Sequence, residues 1–222
     1  MLKLIIGNKA YSSWSLRGWL AVKQSGLAFE ELVVPMFGEE WERAREGDEF
    51  GPSSGKVPIL WDGEAVVWDS LAIVDYLADK TARKRFWPED TAARGMARSM
   101  AAEMHSSFPN LRREHSMNVR KIFPQKPLSD PVREEIERIL EMWAQARARF
   151  GGKGAFLFGD WCAADIMYAP VVTRFVSYSI PLPPFAHIYV KSVLEHPPMR
   201  EWIDAAQEEP WVIEKYETPP QA

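Results

Sequence analysis

Apolar residues follow two different rhythms along the 222-residue chain, and the change falls near residue 79. Before it, short apolar runs alternate with amphipathic stretches. Residues 2–7, Leu-Lys-Leu-Ile-Ile-Gly, form a compact apolar run that predicts a buried strand. Residues 8–13 are small and polar, a loop. From Trp14 onward Leu16, Trp19, Leu20 and Val22 recur at helical spacing, and Gly26 stands where a helix ends in a left-handed turn. Residues 29–36 return to a strand pattern, which completes a strand-helix-strand unit of the length a right-handed parallel crossover needs. Residues 37–55 are charged and broken by Gly38, Gly47, Gly51 and Pro52, so a short helix over 39–45 and a loop are expected. Residues 57–61 and 65–68 are apolar runs joined through Asp62-Gly63, a dipeptide suited to a tight hairpin turn. Pro58 has no N–H to give a ladder, which places it at a strand's start, an edge or a bulge, and a cis Val57-Pro58 bond is compatible with that place. Asp69 and Ser70 then occupy a helix N-cap, followed by an apolar face of Leu71, Ile73, Val74 and Leu77.

Beyond residue 79 helical spacing takes over. Residues 81–90 are basic and carry Trp87-Pro88, which reads as a linker. Residues 91 to about 119 predict a long helix bent or broken at Pro109. Pro131 lies just inside a helix start after Ser129 and Asp130, and Val132, Ile136, Ile139, Leu140, Trp143 and Phe150 mark one face of that helix. A further helix begins near Cys162 and runs through Ile166, Met167, Val171, Val172 and Phe175 with little polar interruption, as a central buried helix would. Residues 187–194 and 199–207 predict two short helices, and the tail from Pro210 has no defined pattern. The expected division is a mixed α+β domain over 1–82, a linker over 83–90 and an all-helical domain over 91–222, two modest domains that can each bury a core.

Composition narrows the function. Against 31 Asp and Glu stand 27 Lys and Arg, a formal charge of −4 with no block of like charges, so a nucleic-acid or membrane surface is not expected. The single cysteine, Cys162, excludes an intrachain disulfide and a Cys-x-x-Cys redox pair. His105, His115, His187 and His196 show no metal-ligand spacing, and no metal is expected. With no signal-like start and no apolar run near the ~18 residues of a membrane span, a soluble, cytoplasmic protein is expected.

Three constellations could carry chemistry or structure. Tyr11-Ser12-Ser13-Trp14-Ser15-Leu16-Arg17 lies between the first strand and first helix, where unpaired N–H groups and the positive end of the helix dipole gather. A serine hydroxyl there either donates to a thiolate or other anion, or simply caps the helix. No His or acid stands near enough in sequence to make these serines a triad nucleophile. Val57-Pro58 and Asp69-Ser70 offer main-chain groups for an extended peptide and a carboxylate plus hydroxyl for its charged end. They serve equally as a hairpin and a capped helix. Phe158-Gly159-Asp160-Trp161-Cys162-Ala163-Ala164-Asp165 places Cys162 at an N-cap, Asp165 three residues on, and Trp161 and Ile166 at the two positions of a hydrophobic staple, a folding device.

Taken together, these motifs make nearly the whole chain resemble a glutathione transferase, with a thioredoxin-like N-terminal domain followed by an all-helical C-terminal domain. Ser12-Ser13-Trp14-Ser15-Leu16-Arg17 is most similar to the serine-type branch near the zeta class, whose pattern is Ser-Ser-Cys-Ser-x-Arg. The resemblance implies glutathione as cosubstrate, no metal, a cis Val57-Pro58 bond whose Val57 main chain pairs with the cysteinyl part, and Asp69 and Ser70 holding the γ-glutamyl end. The thiolate-stabilising serine falls on Ser12, with Ser13 as the adjacent alternative. Trp14 joins the glutathione site, and Lys56 or a residue from 41–45 is the candidate for the glycyl carboxylate. Arg17 reads as structural. Met104, His105, Phe108, Arg112 and Arg174 are the candidates for the electrophile pocket. The implied function is conjugation of glutathione to a small hydrophobic electrophile, a detoxification chemistry, by a homodimer. A glutathione-dependent isomerase of the maleylacetoacetate type and a non-catalytic binding protein are the alternatives. Three departures matter: Trp14 replaces the cysteine of the zeta pattern, Asp69 stands where many relatives have Glu or Gln, and Cys162 replaces the usual Ser or Thr cap, sulfur being a weak acceptor.

Overall fold

A computed structural model describes residues 1–152 and 154–218. Its first half is a four-stranded mixed sheet in the order β2-β1-β3-β4, built from β1 (Leu2–Ile6), β2 (Phe29–Val33), β3 (Ile59–Asp62) and β4 (Ala65–Trp68). β1 runs parallel to β2, with Leu2 opposite Phe29, and antiparallel to β3, with Leu4 opposite Leu60. Leu4, Ile5 and Ile6 are fully buried because β1 has protein on both faces. Helices α1 (Ser13–Ser25) and α3 (Ser70–Lys80) cover one face, while Trp41 of α2 (Glu39–Glu46) packs with Ile5, Val34, Phe50 and Ile59 on the other. Gly26 ends α1 at φ 73°, as its position in the pattern predicts. β2 is shorter than its apolar run: Val34 still bonds the Ile6 carbonyl, but Pro35 has no N–H to continue.

The second half is helical: α4 (Thr91–Ser106), α5 (Pro109–Glu114), α6 (Asp130–Phe150), α7 (Ala163–Ser177), α8 (Pro184–Glu195) and α9 (Pro197–Glu208). The long helix expected over 91–119 stops at Ser106, because Phe108 turns left-handed at φ 64° and Pro109 opens a new helix. α7 is the central helix, buried along almost its whole length, and it keeps Pro170 inside. At its start the Asp165 carboxylate accepts from the N–H groups of Cys162 (2.9 Å) and Leu157 (3.1 Å) and from the Tyr189 hydroxyl (3.0 Å). The stretch after α3 does not hang free: a single 3-10 turn, Arg83–Arg85, leads into buried Phe86 and Trp87, and the Phe86 carbonyl accepts from Ala163 N–H at 2.7 Å.

The two halves share one apolar core. Arg17 of α1 donates from Nε to the Met167 carbonyl of α7 at 2.9 Å, and Trp202 of α9 donates to the Lys9 carbonyl at 3.0 Å. The tail beyond α9, unassigned by the pattern, folds back over the loop between β1 and α1. There Glu217 accepts from the Tyr11 hydroxyl (2.7 Å) and Asn118 Nδ2 (3.0 Å) and pairs with Lys121 (2.6 Å). Among the described residues no helix is long and apolar enough to cross a membrane.

Candidate active site

A cavity of about 630 Å³ opens where the starts of α1 and α3, the 53–58 loop and one turn of α4 meet. Ser12, Trp14, Lys56, Val57, Pro58, Asp69, Ser70 and His105 all border it. The Val57–Pro58 bond is cis. Asp69 sits at φ 74°, and its Oδ1 accepts from the N–H groups of Leu71 (2.8 Å) and Ala72 (3.3 Å), the cap that starts α3. Its other oxygen lies 2.6 Å from His105 Nε2 of α4. Ser70 is fully buried beside it, and its hydroxyl has no partner among the described residues. A buried hydroxyl at a helix N-terminus, left without a partner, fits a carboxylate supplied by a ligand. Lys56, also on the border, is exposed.

Ser12 caps α1, its Oγ accepting from Ser15 N–H at 3.3 Å and donating to Ser15 Oγ at 2.7 Å, while Ser15 Oγ takes the Gly7 N–H at 3.0 Å. Capping alone does not describe it. A second cavity of about 300 Å³ adjoins the first, and Ser12, Trp14 and Met36 border both. Ser13, one position into the helix, borders only the second. Ser12, Trp14 and Met36 thus form the border between the cavities, and Ser12 is the one of the three that carries a hydroxyl.

The second cavity has aromatic walls, Tyr11, Phe37 and Tyr216, and two charged residues, Arg112 and Arg174. Tyr216 comes from the folded-back tail, and Phe37 is exposed in the turn before α2; neither carried a periodic signal that marks a site. Burial and the hydrogen bond to Glu217 push the Tyr11 hydroxyl up to about 12. The remaining pocket candidates lie elsewhere. Met104 is on the α4 face it shares with Ala97, Met100 and Ala101 and packs into the core, and Phe108 is buried at the α4–α5 junction, so neither borders a cavity. His105 borders the first cavity, not the second, because it follows Met104 around the helix toward Asp69 and the Trp14 ring. Cys162 is buried away from both, and burial pushes its thiol well up, so it supplies no thiolate to either cavity. Among the described residues no group of three or more His, Cys, Asp or Glu is placed to hold a metal ion.

Residues 11–80 match the family model described as glutathione S-transferase, N-terminal domain, and residues 97–205 match its C-terminal domain counterpart. Glutathione S-transferase GstB of Escherichia coli (strain K12) is 24% identical over 202 residues, covering 85% of this chain and 95% of that protein. A dichloromethane dehalogenase of Methylorubrum extorquens is 46% identical over 52 residues, 23% of this chain and 18% of the relative. Among solved structures, a glutathione transferase homolog from Burkholderia with bound glutathione aligns at a TM-score of 0.69 and 21% identity, over 93% of this chain and 98% of the other. The holo form of maleyl pyruvate isomerase, a bacterial zeta-class protein, aligns at 0.66 and 20% identity, over 93% and 99%. At these identities the solved structures speak for the fold.

Proposed function

The chain belongs to the glutathione S-transferase family, both of whose domain models it matches, and from that premise we propose that it ionises a bound glutathione thiol beside Ser12 and transfers the sulfur to an electrophile. The observation that carries this reading is the place of Ser12 at the junction of the two cavities, with the first sized for a small peptide and the second for its reaction partner. In this reading the Val57 main chain pairs with the cysteinyl part, and Asp69 and Ser70 hold the γ-glutamyl end. Lys56 faces the glycyl carboxylate, and Trp14 forms the wall between the cavities.

A free thiol titrates near ~8.5 and is mostly protonated at neutral pH. Lowering that value by one unit takes about 1.4 kcal/mol of preference for the thiolate. One hydrogen bond from the Ser12 hydroxyl, its single proton turned from Ser15 Oγ to the charged sulfur while the Ser15 hydroxyl donates back to Ser12 Oγ, supplies that much together with the unpaired N–H groups at the start of α1. The thiolate then attacks the electrophilic carbon, and the protein's further work is to hold both partners in reach.

The test uses Ser12→Gly, since glycine keeps helix-start stability to within a few tenths of a kcal/mol while removing the hydroxyl. Absorbance titration of the bound thiolate should show its pKa rising by about one unit, with Ser13→Gly leaving it in place. An unchanged value in Ser12→Gly would remove the proposed role. Following glutathione during turnover separates conjugation, which consumes it, from isomerisation, which returns it. The same reading makes the chain a cytoplasmic homodimer, and light scattering of the purified protein checks the dimer.

A further inference from the structure

Three guanidinium groups gather behind and along the second cavity, and among the described residues no carboxylate is bound to any of them. Arg17 is fully buried; its Nε is on the Met167 carbonyl, and its two terminal nitrogens have no partner among the described residues. Arg112 gives Nε to the Ser107 carbonyl (3.1 Å) and Nη2 to the carbonyls of Met104 and His105, but its buried Nη1 has none. Arg174, 4% exposed, gives Nε to the His115 carbonyl (2.8 Å) and Nη1 to the Pro170 carbonyl (3.0 Å), which leaves Nη2 free at the cavity. The nearby acids are engaged elsewhere: Asp69 by His105 and the start of α3, and Glu135 by Asn110 and Leu111.

Unpaired charge in a dry place is costly, and here like charges add to it. Burial first, and then Arg112, weaken proton binding by Arg17 and by Arg174, the latter down to about 9. Guanidinium still stays protonated at neutral pH. The Trp14 ring compensates in part, with the Arg17 and Arg112 guanidinium carbons 4.8 and 4.9 Å from its centroid. What remains is a positive end to a cavity whose other walls include four aromatic rings, Tyr11, Trp14, Phe37 and Tyr216.

We propose that this end is a seat for a carboxylate, held by Arg112 and Arg174, and that the substrates are anionic electrophiles whose apolar body lies against the aromatic walls. The inference rests on the transferase reading for the word electrophile, and it narrows the substrate class beyond small and hydrophobic. Each guanidinium keeps one terminal nitrogen not given to a carbonyl, Nη1 of Arg112 and Nη2 of Arg174, so the pair can supply one charge-assisted hydrogen bond to each oxygen of a carboxylate. The two carboxylates of glutathione have their own places in the first cavity, at Ser70 and Lys56, so neither accounts for these arginines.

The experiment has a binding arm and a turnover arm, both on the full chain. Isothermal titration calorimetry follows the binding of benzoate and of its neutral counterpart benzamide, with and without glutathione. Benzoate should bind at least about tenfold more tightly, the ratio expected of one charge-assisted hydrogen bond. Arg174→Met and Arg112→Met should each lose most of that preference, Arg174→Lys should keep part of it, and calorimetric glutathione affinity should stay within about twofold in all of them. In the turnover arm 4-chloro-3,5-dinitrobenzoate is compared with its carboxamide, each normalised to its uncatalysed rate with glutathione. The sulfur forms a bond to the ring carbon, the carbon–chlorine bond breaks, chloride leaves with the electron pair, and the carboxylate is unchanged. The carboxylate substrate should show the larger normalised kcat/KM.

Equal binding of benzoate and benzamide by the parent protein overturns the proposal, as does a preference that survives in both methionine variants. Both arginines also hold main-chain carbonyls, so where a methionine variant does not fold, the parent's own benzoate-to-benzamide ratio decides. Glutathione that fails to bind overturns the transferase reading while the benzoate comparison stands. Glutathione that binds while the two aromatic ligands are held alike overturns the carboxylate seat alone.

Discussion

Asp69 divides its carboxylate between two elements, one oxygen capping α3 and the other 2.6 Å from His105 on α4. The second domain thus fixes the rotamer of a group that, in the proposed reading, faces the γ-glutamyl end of glutathione. His105→Ala should weaken glutathione binding roughly fivefold, the equivalent of about 1 kcal/mol for one partly exposed charged contact. His105→Gln, whose amide can donate to the same oxygen, should recover most of it. Calorimetric titration checks both, and an alanine variant that binds as the parent does would assign His105 a packing role against Trp14. At this scale the sequence was informative about residue type and blind to direction. Ser12 and Ser13 are adjacent and equally polar, and only the way the first turn of α1 faces separates one that borders both cavities from one that borders a single cavity. Met104, His105 and Phe108 were grouped as pocket candidates on the same ground, yet consecutive helical positions point about 100° apart, which sends Met104 into the core and His105 toward Asp69.

Elements met their neighbours at points the sequence marked only by small residues. Gly18 lies in the middle of α1, where helix propensity argues against it, because α1 crosses Pro58 there: a Cβ would fall 2.7 Å from Pro58 Cγ. Gly18→Ala should destabilise the protein by about 1–3 kcal/mol, as overpacking does, despite alanine's better helix propensity. Urea unfolding measures it, and a stabilised variant would show that the contact relaxes freely. The joint between α8 and α9 carries a different test. His196 ends one helix, begins the next and stacks on Trp161 at 4.1 Å, and burial holds its pKa below the usual histidine value. The unfolded chain therefore binds the proton more readily. Stability that His196 contributes is present above ~6.5, the unfolded value, and is lost as pH falls through the lower folded value. The stability difference between the parent and His196→Asn should accordingly shrink between pH 7.5 and 5.5 in paired urea titrations; these two values are about one unit either side of the ordinary histidine pKa. Helix starts were legible because proline and capping residues act locally, as at Pro109, Pro131 and Asp69. Residues 81–90 read as a linker because composition records basic side chains but not the burial of Phe86 and Trp87 between the halves.

Across the whole molecule, the loop between β1 and α1 is held by residues 202–217. The Glu209 carboxylate accepts from the N–H groups of Lys9 (2.7 Å) and Ala10 (3.1 Å), Trp202 donates to the Lys9 carbonyl, and Glu217 takes the Tyr11 hydroxyl. Partners some 200 positions apart leave no periodic trace, which is why the pattern left the tail from Pro210 unassigned although it builds one wall of the second cavity. Glu209→Ala strands two N–H groups, at about 1–3 kcal/mol for each one left buried without a partner. Because these groups sit three and two residues before Ser12, the loss should appear twice. Urea unfolding should shift to lower denaturant, and hydrogen exchange at Lys9 and Ala10 should quicken beyond what the global shift explains. Glu209→Gln, which keeps an acceptor oxygen, should fall between the parent and Glu209→Ala. The shared core makes the same experiment a test of unity: far-ultraviolet circular dichroism and tryptophan fluorescence should report one coincident transition, since Trp19, Trp87 and Trp202 belong to the core that joins both halves. Two separated transitions would mean that the halves unfold independently, and the tail would then be a strap on a hinged molecule instead of the closing edge of a single folded unit.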